Sequence, residues 1–270
     1  MFRRISESFR NSRVTFSGHS LFRVDDPEEK GYNGELAARW SSRVGRVDYS
    51  LSAFYTYDDM PAFSLDFSVF QRFNLRDEDT RRFLENAEVS DLARLAHIFR
   101  MEFKRQWIVG ADFETFVGAS SLRGEAAITF DKVFYRSDLS QADRPVLNWV
   151  VGIDRTLPGN LYANLQALQV ILLRYDSDII DERVRTGMTA ALRRRFFNDQ
   201  LQLKLSSLLF FDDGDYFLNL EADYNLADNV ALAGGINIFQ GPRDDALLKT
   251  RTIASFTNND QVYSRVLYHF

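Results

Sequence analysis

Hydrophobic and polar residues alternate with period two along most of the chain, in blocks of about 10–16 residues. Asp215 to Tyr224 sets Tyr216, Leu218, Leu220, Ala222 and Tyr224 against Asn219, Glu221 and Asp223. Gln200 to Leu209 sets Leu201, Leu203, Leu205 and Leu209 against Gln202, Lys204 and Ser206, and Arg183 to Arg193 behaves in the same way. Upstream, Gly34 to Val44, Val47 to Tyr57, Phe99 to Thr115 and Leu122 to Asp131 alternate too. Successive side chains of a strand point to opposite faces, so the pattern predicts strands with one apolar and one polar face. Leu147 to Ile153, Asn160 to Arg174 and Asn229 to Phe239 add three more, although Val170 to Leu173 is wholly apolar and leaves the register open there. With the last block, Gln261 to Phe270, the expectation is about eleven strands from Gly34 onward. Val14 to Phe22 is a candidate for a twelfth.

The connectors alternate in length. Short ones fall at Gly45-Arg46, Gly118-Ala119-Ser120, Pro158-Gly159, Asn198-Asp199 and Ala227-Asp228-Asn229. Long ones are expected near 59–96, 133–145, 175–182 and 241–260, with Asp212-Asp213-Gly214 a shorter member of that series. Tight turns at one end and long loops at the other are the pattern of an outer-membrane barrel, with the turns in the periplasm. A soluble sandwich has no reason to sort loop lengths by end.

Composition narrows the choice. The chain has no Cys, which excludes disulfides, thiolate metal sites and a thiol nucleophile. A net charge of -5 offers no basic footprint for nucleic acid. No run of 18 apolar residues suggests a membrane helix, yet a barrel strand needs only about 9–11 residues with every second one apolar. The mean hydropathy of -0.28 fits such averaging. Aromatics are abundant, with 24 Phe and 11 Tyr. Tyr49, Tyr55, Tyr57, Trp107, Tyr216, Tyr224, Tyr268 and Phe270 fall near the ends of apolar rows, where interfacial girdles form.

The polar rows carry the candidate functional residues. A dry core would have to hold unpaired charges at a cost of several kcal/mol each, whereas a water-filled lumen holds them freely. Expected to line a lumen are Arg39, Arg43, Asp112, Glu114, Arg123 and Glu125 in the first half of the chain. Arg185, Lys204, Glu221, Asp223 and Arg265 follow in the second. The i,i+2 acid pairs Asp112/Glu114 and Glu221/Asp223 read as members of charge ladders with Arg123, Arg185 and Arg265 rather than as a cation site.

The strand that ends in Tyr268 and a terminal Phe270 resembles the recognition signal read by the barrel-assembly machinery of Gram-negative envelopes. Four segments, GELAARWSSRVGRVDYSLSAFYTYDD, WIVGADFETFVGASSLRGEAAITF, YNLADNVALAGGINIFQG and NNDQVYSRVLYHF, resemble an uncharacterised family of proteobacterial porin-like outer-membrane proteins, a domain of unknown function. The resemblance covers most of residues 34–270. It implies a porin-type barrel and transfers no catalytic residue. The opening MFRRISESFRNSR has neither an apolar core nor a small-residue cleavage site, so the expectation is a chain that enters mid-barrel from a longer gene.

Within 59–96, Asp77-Glu78-Asp79-Thr80 and Ser90 could cap helices, with Phe83, Leu84 and Ala87 and then Leu92, Leu95 and Ala96 at helical spacing. Such a loop could fold over the lumen or remain an ordinary surface loop. Enzymatic readings are thin: His19, His97 and His269 lack the spacing of a metal site or a nucleophilic triad.

The sequence therefore predicts an all-β, antiparallel, up-and-down transmembrane β-barrel of about 11–12 strands, complete or part of a larger barrel. Residues 34–270 form the barrel and residues 1–33 an amino-terminal segment or extra strand. The expected function is a porin-like channel in the outer membrane of a Gram-negative bacterium, neither an enzyme nor a holder of cofactor or metal. Its partners would be outer-membrane lipids, the assembly machinery and small-molecule solutes, with no nucleic acid; oligomeric state is not readable. The alternatives are a non-conducting barrel with ligand-binding or adhesive loops, and a soluble β-sheet binding protein.

Overall fold

The fold is set by hairpins whose turns demand left-handed backbone. In a computed structural model, residues 22–25, 34–65, 99–212, 214–227, 229–242, 253 and 256–268 are described. Among the described residues fourteen strands run in chain order. They are β1 Phe22–Asp25, β2 Leu36–Val44, β3 Val47–Tyr57, β4 Ala62–Leu65, β5 Phe99–Glu102, β6 Arg105–Val117 and β7 Ser120–Tyr135. After these come β8 Gln141–Leu157, β9 Leu161–Leu172, β10 Val184–Phe196, β11 Leu201–Phe210, β12 Tyr216–Ala227, β13 Val230–Gln240 and β14 Gln261–Tyr268. No α-helix occurs among the described residues.

Eleven of these strands form one antiparallel up-and-down sheet, ordered β14-β13-β12-β11-β10-β9-β8-β7-β6-β3-β2. Val44 pairs with Val47 across Gly45-Arg46, and Val117 with Ser120 across Gly118-Ala119. Gly45 and Gly118 sit at φ 60° and 62°, where a Cβ is penalised, so these two-residue turns fix the register of their hairpins. Phe197, Asn198 and Asp199 all have positive φ and close the β10–β11 hairpin in the same way. Such pinning matters because a slip of one residue would exchange the two faces.

The sheet is open: β2 and β14 are its edges, and neither pairs with another strand among the described residues. Eleven is an odd number, so β2 and β14 run in the same direction. The expected twelfth strand, Val14 to Phe22, lies outside the described residues except for Phe22. That residue begins β1, which pairs in parallel with β5 in a second sheet of order β1-β5-β4.

The chain divides into two compact units. One comprises Met1–Glu35, Tyr57–Arg105 and Leu139–Gln141 and holds the small sheet, in which Ala62 pairs with Glu102 and Leu65 with Phe99. The other comprises Leu36–Thr56, Gln106–Asp138 and Ala142–Phe270 and holds nearly all of the large sheet.

Two expectations are corrected. The continuous strand read from Phe99 to Thr115 is broken at Phe103-Lys104 into β5 and β6, which lie in different sheets. The sequence marks the break by Arg105, a charge in the row of Phe103 and Trp107. At the break the Lys104 carbonyl accepts the Asp58 amide at 2.8 Å instead of a ladder partner. The expected long loop at 133–145 shrinks to a few residues, because β7 runs to Tyr135 and β8 starts at Gln141. The helices expected around Asp77 and Ser90 lie outside the described residues.

Candidate functional site

The registers put the expected apolar residues on one face. Leu36, Ala38, Trp40 and Val44 on β2 oppose Tyr55, Ala53, Leu51 and Val47 on β3. Leu201, Leu203 and Leu205 on β11 oppose Tyr224, Ala222 and Leu220 on β12. The face is exposed across the sheet: Trp40 55%, Leu51 52%, Trp107 50%, Leu165 47%, Leu220 49% and Val266 70%.

The opposite face carries the charges in two clusters. In the first, Arg39 reaches Asp112 at 3.1 Å and Ser50 at 3.0 Å, and the Ser50 hydroxyl also donates to Asp112. Arg123 reaches Glu114 at 3.0 Å and Asp154 at 3.7 Å. Asp112 and Glu125 are direct cross-strand partners, a like-charge juxtaposition that costs stability. All of these but Ser50 line a concavity of about 490 Å³, together with Ser52, Asn164 and Gln166. Four carboxylates (Asp112, Glu114, Glu125, Asp154) meet two guanidiniums (Arg39, Arg123) there, leaving the hollow acidic.

The second cluster joins β11 to β14. Lys204 lies 3.0 Å from Glu221 and 2.6 Å from Asp223. Arg265 lies 2.9 Å from Glu221 and 3.6 Å from Asp223. Tyr263 donates its hydroxyl to Glu221 at 2.6 Å, and Gln202 donates to Asp223 at 3.4 Å. Gly235 makes this possible: a Cβ there would fall 2.5 Å from the Tyr263 hydroxyl. Beside it, Asn219 donates to Asn237 at 2.7 Å and Asn237 to Gln261 at 3.2 Å, extending a polar rung across three strands.

The expected ladder partners are only partly those the sequence suggested. Glu114 does meet Arg123, and Glu221 and Asp223 meet Arg265. Asp112 pairs with Arg39 rather than Arg123. Arg185 joins neither acid pair. It lies at the loop end, 3.7 Å from the fully buried Asp215 and stacked over the Phe210 ring at 4.2 Å. Arg43 forms an exposed pair with Asp48 beside the first turn, at 2.9 Å. Of the terminal residues, Tyr268 pairs with Val230 on an exposed row and Phe270 lies outside the described residues.

Sequence reasoning missed Tyr263, Ser50 and Asp154 as members of the clusters. Tyr263 and Ser50 share the parity of Arg265 and Asp48, so parity alone places them on this face. Asp154 lay one residue beyond the block read as a strand.

On β8 and β9 the loop end of the charged face is apolar. Val146 and Leu172 are cross-strand partners with the parity of Asp154 and Asn164, and so lie on the same face. They pack with Phe134, Ala142 and Ile179 into a buried cluster. Ile179 belongs to the loop between β9 and β10, which is stitched to the neighbouring hairpin. The Ile180 amide donates to the Tyr135 carbonyl at 2.9 Å and the Ser137 amide to the Asp178 carbonyl at 2.9 Å. Asp176 sits 3.5 Å from Arg136 and 3.9 Å from Arg144.

Among the described residues no cluster of three or more His, Cys, Asp or Glu could hold a metal ion. No described helix is long and apolar enough to cross a membrane, which says nothing of crossing by strands. No protein-family model matches the chain, and no curated protein is similar enough to be counted a relative. The class defined by the fold is therefore architectural: an all-β, antiparallel, up-and-down sheet with one apolar and one charged face.

Proposed function

We propose that this sheet is the wall of an outer-membrane barrel, with the apolar face toward lipid and the charged face toward a water-filled lumen, acting as a porin-like channel for small solutes. The observation that carries the reading is the exposure of the apolar face over all eleven strands. Soluble monomers rarely leave contiguous apolar patches beyond a few hundred Å². In lipid the same rows are satisfied, and the tight turns and longer loops fall on opposite sides as a barrel requires. Closure needs an odd number of further strands, because β2 and β14 run the same way and bacterial single-chain barrels have even strand counts. The interdigitated cations and carboxylates of the charged face favour a channel of weak ion selectivity.

The non-conducting alternative draws support from the apolar cluster around Ile179, which occupies the loop end of the charged face. Reconstitution in planar bilayers separates the readings. Stepwise single-channel conductance supports the pore. An inserted but silent protein supports the non-conducting barrel, and a chain monodisperse without detergent overturns the membrane reading altogether.

A further inference from the structure

Charge is sparse on the apolar face: toward the loops its parity holds Arg105 on β6 and Asp143 on β8, and toward the tight turns it holds Arg155 and Arg194. Its rows on β2, β3, β11 and β12 contain only uncharged residues from Leu36 to Val44, Val47 to Tyr55, Leu201 to Leu209 and Tyr216 to Tyr224. On β8 the row reads Leu147, Trp149, Val151, Ile153, Arg155, Leu157, and on β10 it reads Val184, Thr186, Met188, Ala190, Leu192, Arg194. Arg155 is opposed by Ala163 and Arg194 by Leu161, both on β9, so the two arginines flank that strand. Neighbouring strands are ~4.8 Å apart, which puts the two backbones about 10 Å from one another.

Both arginines stand at the tight-turn end: Arg194 is on the Leu157–Leu161 rung that closes the hairpin, and Arg155 is one row further from the turn. Neither has a carboxylate partner among the described ion pairs, in contrast to Arg39, Arg123 and Arg265 on the other face. The Arg194 guanidinium is directed toward the turn. Its Nη2 lies 3.4 Å from where a Cβ on Gly159 would stand, and its Cζ lies 4.9 Å from the Phe196 ring centre. A long cationic side chain that leaves an apolar surface this way carries its charge to the polar boundary of a bilayer while its methylenes stay in the apolar layer.

Resting on the membrane reading above, we propose that Arg155 and Arg194 form a binding site for the phosphate of an anionic glycerophospholipid, in the leaflet on the side of the tight turns. Guanidinium is suited to the role: it stays charged, and its fork of N–H donors matches phosphate oxygens two at a time. The acyl chains would lie along the apolar row of β9, over Ala163, Leu165 and Ala167. These residues are small or aliphatic, and Leu165 is 47% exposed.

Native mass spectrometry of the full chain, released from detergent micelles holding equal phosphatidylglycerol and phosphatidylcholine, tests this. The wild type should retain phosphatidylglycerol severalfold over phosphatidylcholine, and Arg155→Gln/Arg194→Gln should bring the two to parity. Arg155→Lys/Arg194→Lys keeps the charge without the fork and should fall between. Arg193→Gln/Arg195→Gln removes the same charge from adjacent positions on the opposite face and should leave the preference intact. A wild type with no preference, or equal loss from the Arg193/Arg195 pair, overturns the site while leaving the membrane reading standing. A chain that takes up no lipid and stays dispersed without detergent overturns both.

Discussion

The two ends of the charged face solve the same problem in opposite ways. At the tight-turn end, polar side chains satisfy one another across strands, as Lys204, Glu221, Asp223, Tyr263 and Arg265 do. On β8 and β9 the loop end of this face is apolar, and a loop folds back to cover it, with Ile179 packed on Phe134, Val146 and Leu172. The first solution holds largely buried carboxylates by pairing them with cations and hydroxyls. The second makes a small dry core in which hydrophobic contacts do the holding. A single sheet face can thus change character along its strands, and period-two alternation reports only the wet part.

The largest effect should come from violating the apolar face. Leu203→Arg or Leu220→Arg should cost about 2–4 kcal/mol in a lipid-embedded barrel. Denaturant titration of the vesicle-inserted protein measures this. Damage no greater than that of Lys204→Leu on the charged face would erase the distinction between the faces.

Next comes the dry end. Ile179→Asp places a carboxylate in the cluster without a partner, costing about 1–3 kcal/mol. Limited proteolysis should then cut within 175–182 while the hairpins stay protected. Unchanged cleavage would show that Ile179 does not anchor the loop.

The wet end should respond through geometry. Gly235→Val puts a side chain against the Tyr263 hydroxyl and the Leu220 carbonyl, 2.5 and 2.8 Å from its Cβ. Overpacking of this kind costs about 1–3 kcal/mol. In a Tyr263→Ala background the added loss should be smaller, since the hydroxyl and the ring, whose Cζ lies 2.6 Å from that Cβ, are both gone; strict additivity in that double-mutant cycle would deny the coupling.

The smallest effect belongs to Arg43→Ala. Its pair with Asp48 is exposed on both sides, so the change should be slight and should fade with added salt. A salt-independent loss would point to packing instead.

These contrasts also explain what could be read in advance. The eleven strands, their tight turns and the face of each charged residue were legible, because alternation and glycine placement are local signals. The register of Val170 to Leu173 was not: Val170 and Leu172 lie on the charged face, yet both are apolar because Ile179 comes down on Leu172 and its neighbours. That contact joins distant parts of the chain and leaves no periodic trace. The exchange of partners between Asp112 and Arg123 was hidden for a related reason. Arg39 reaches Asp112 across β3, and strand order, not spacing, decides who is adjacent. The split of Phe99 to Thr115 left a slight trace, Arg105 in the apolar row between Phe103 and Trp107, which the alternation on either side outweighed. Phe130 and Phe134 show the same limit: they share parity, yet one is 41% exposed and the other buried, with Asp131 at φ 60° between them.

The central claim is that the apolar face meets lipid and the charged face meets water. The chain has no native Cys, so single cysteines can be placed along β12 and spin-labelled in phospholipid vesicles. Labels at Leu218, Leu220 and Ala222 should be accessible to oxygen dissolved in the bilayer. Those at Asn219, Glu221 and Asp223 should be accessible to a water-soluble nickel chelate, the two profiles alternating out of phase. Equal nickel accessibility at both sets, with none favouring oxygen, would contradict the account.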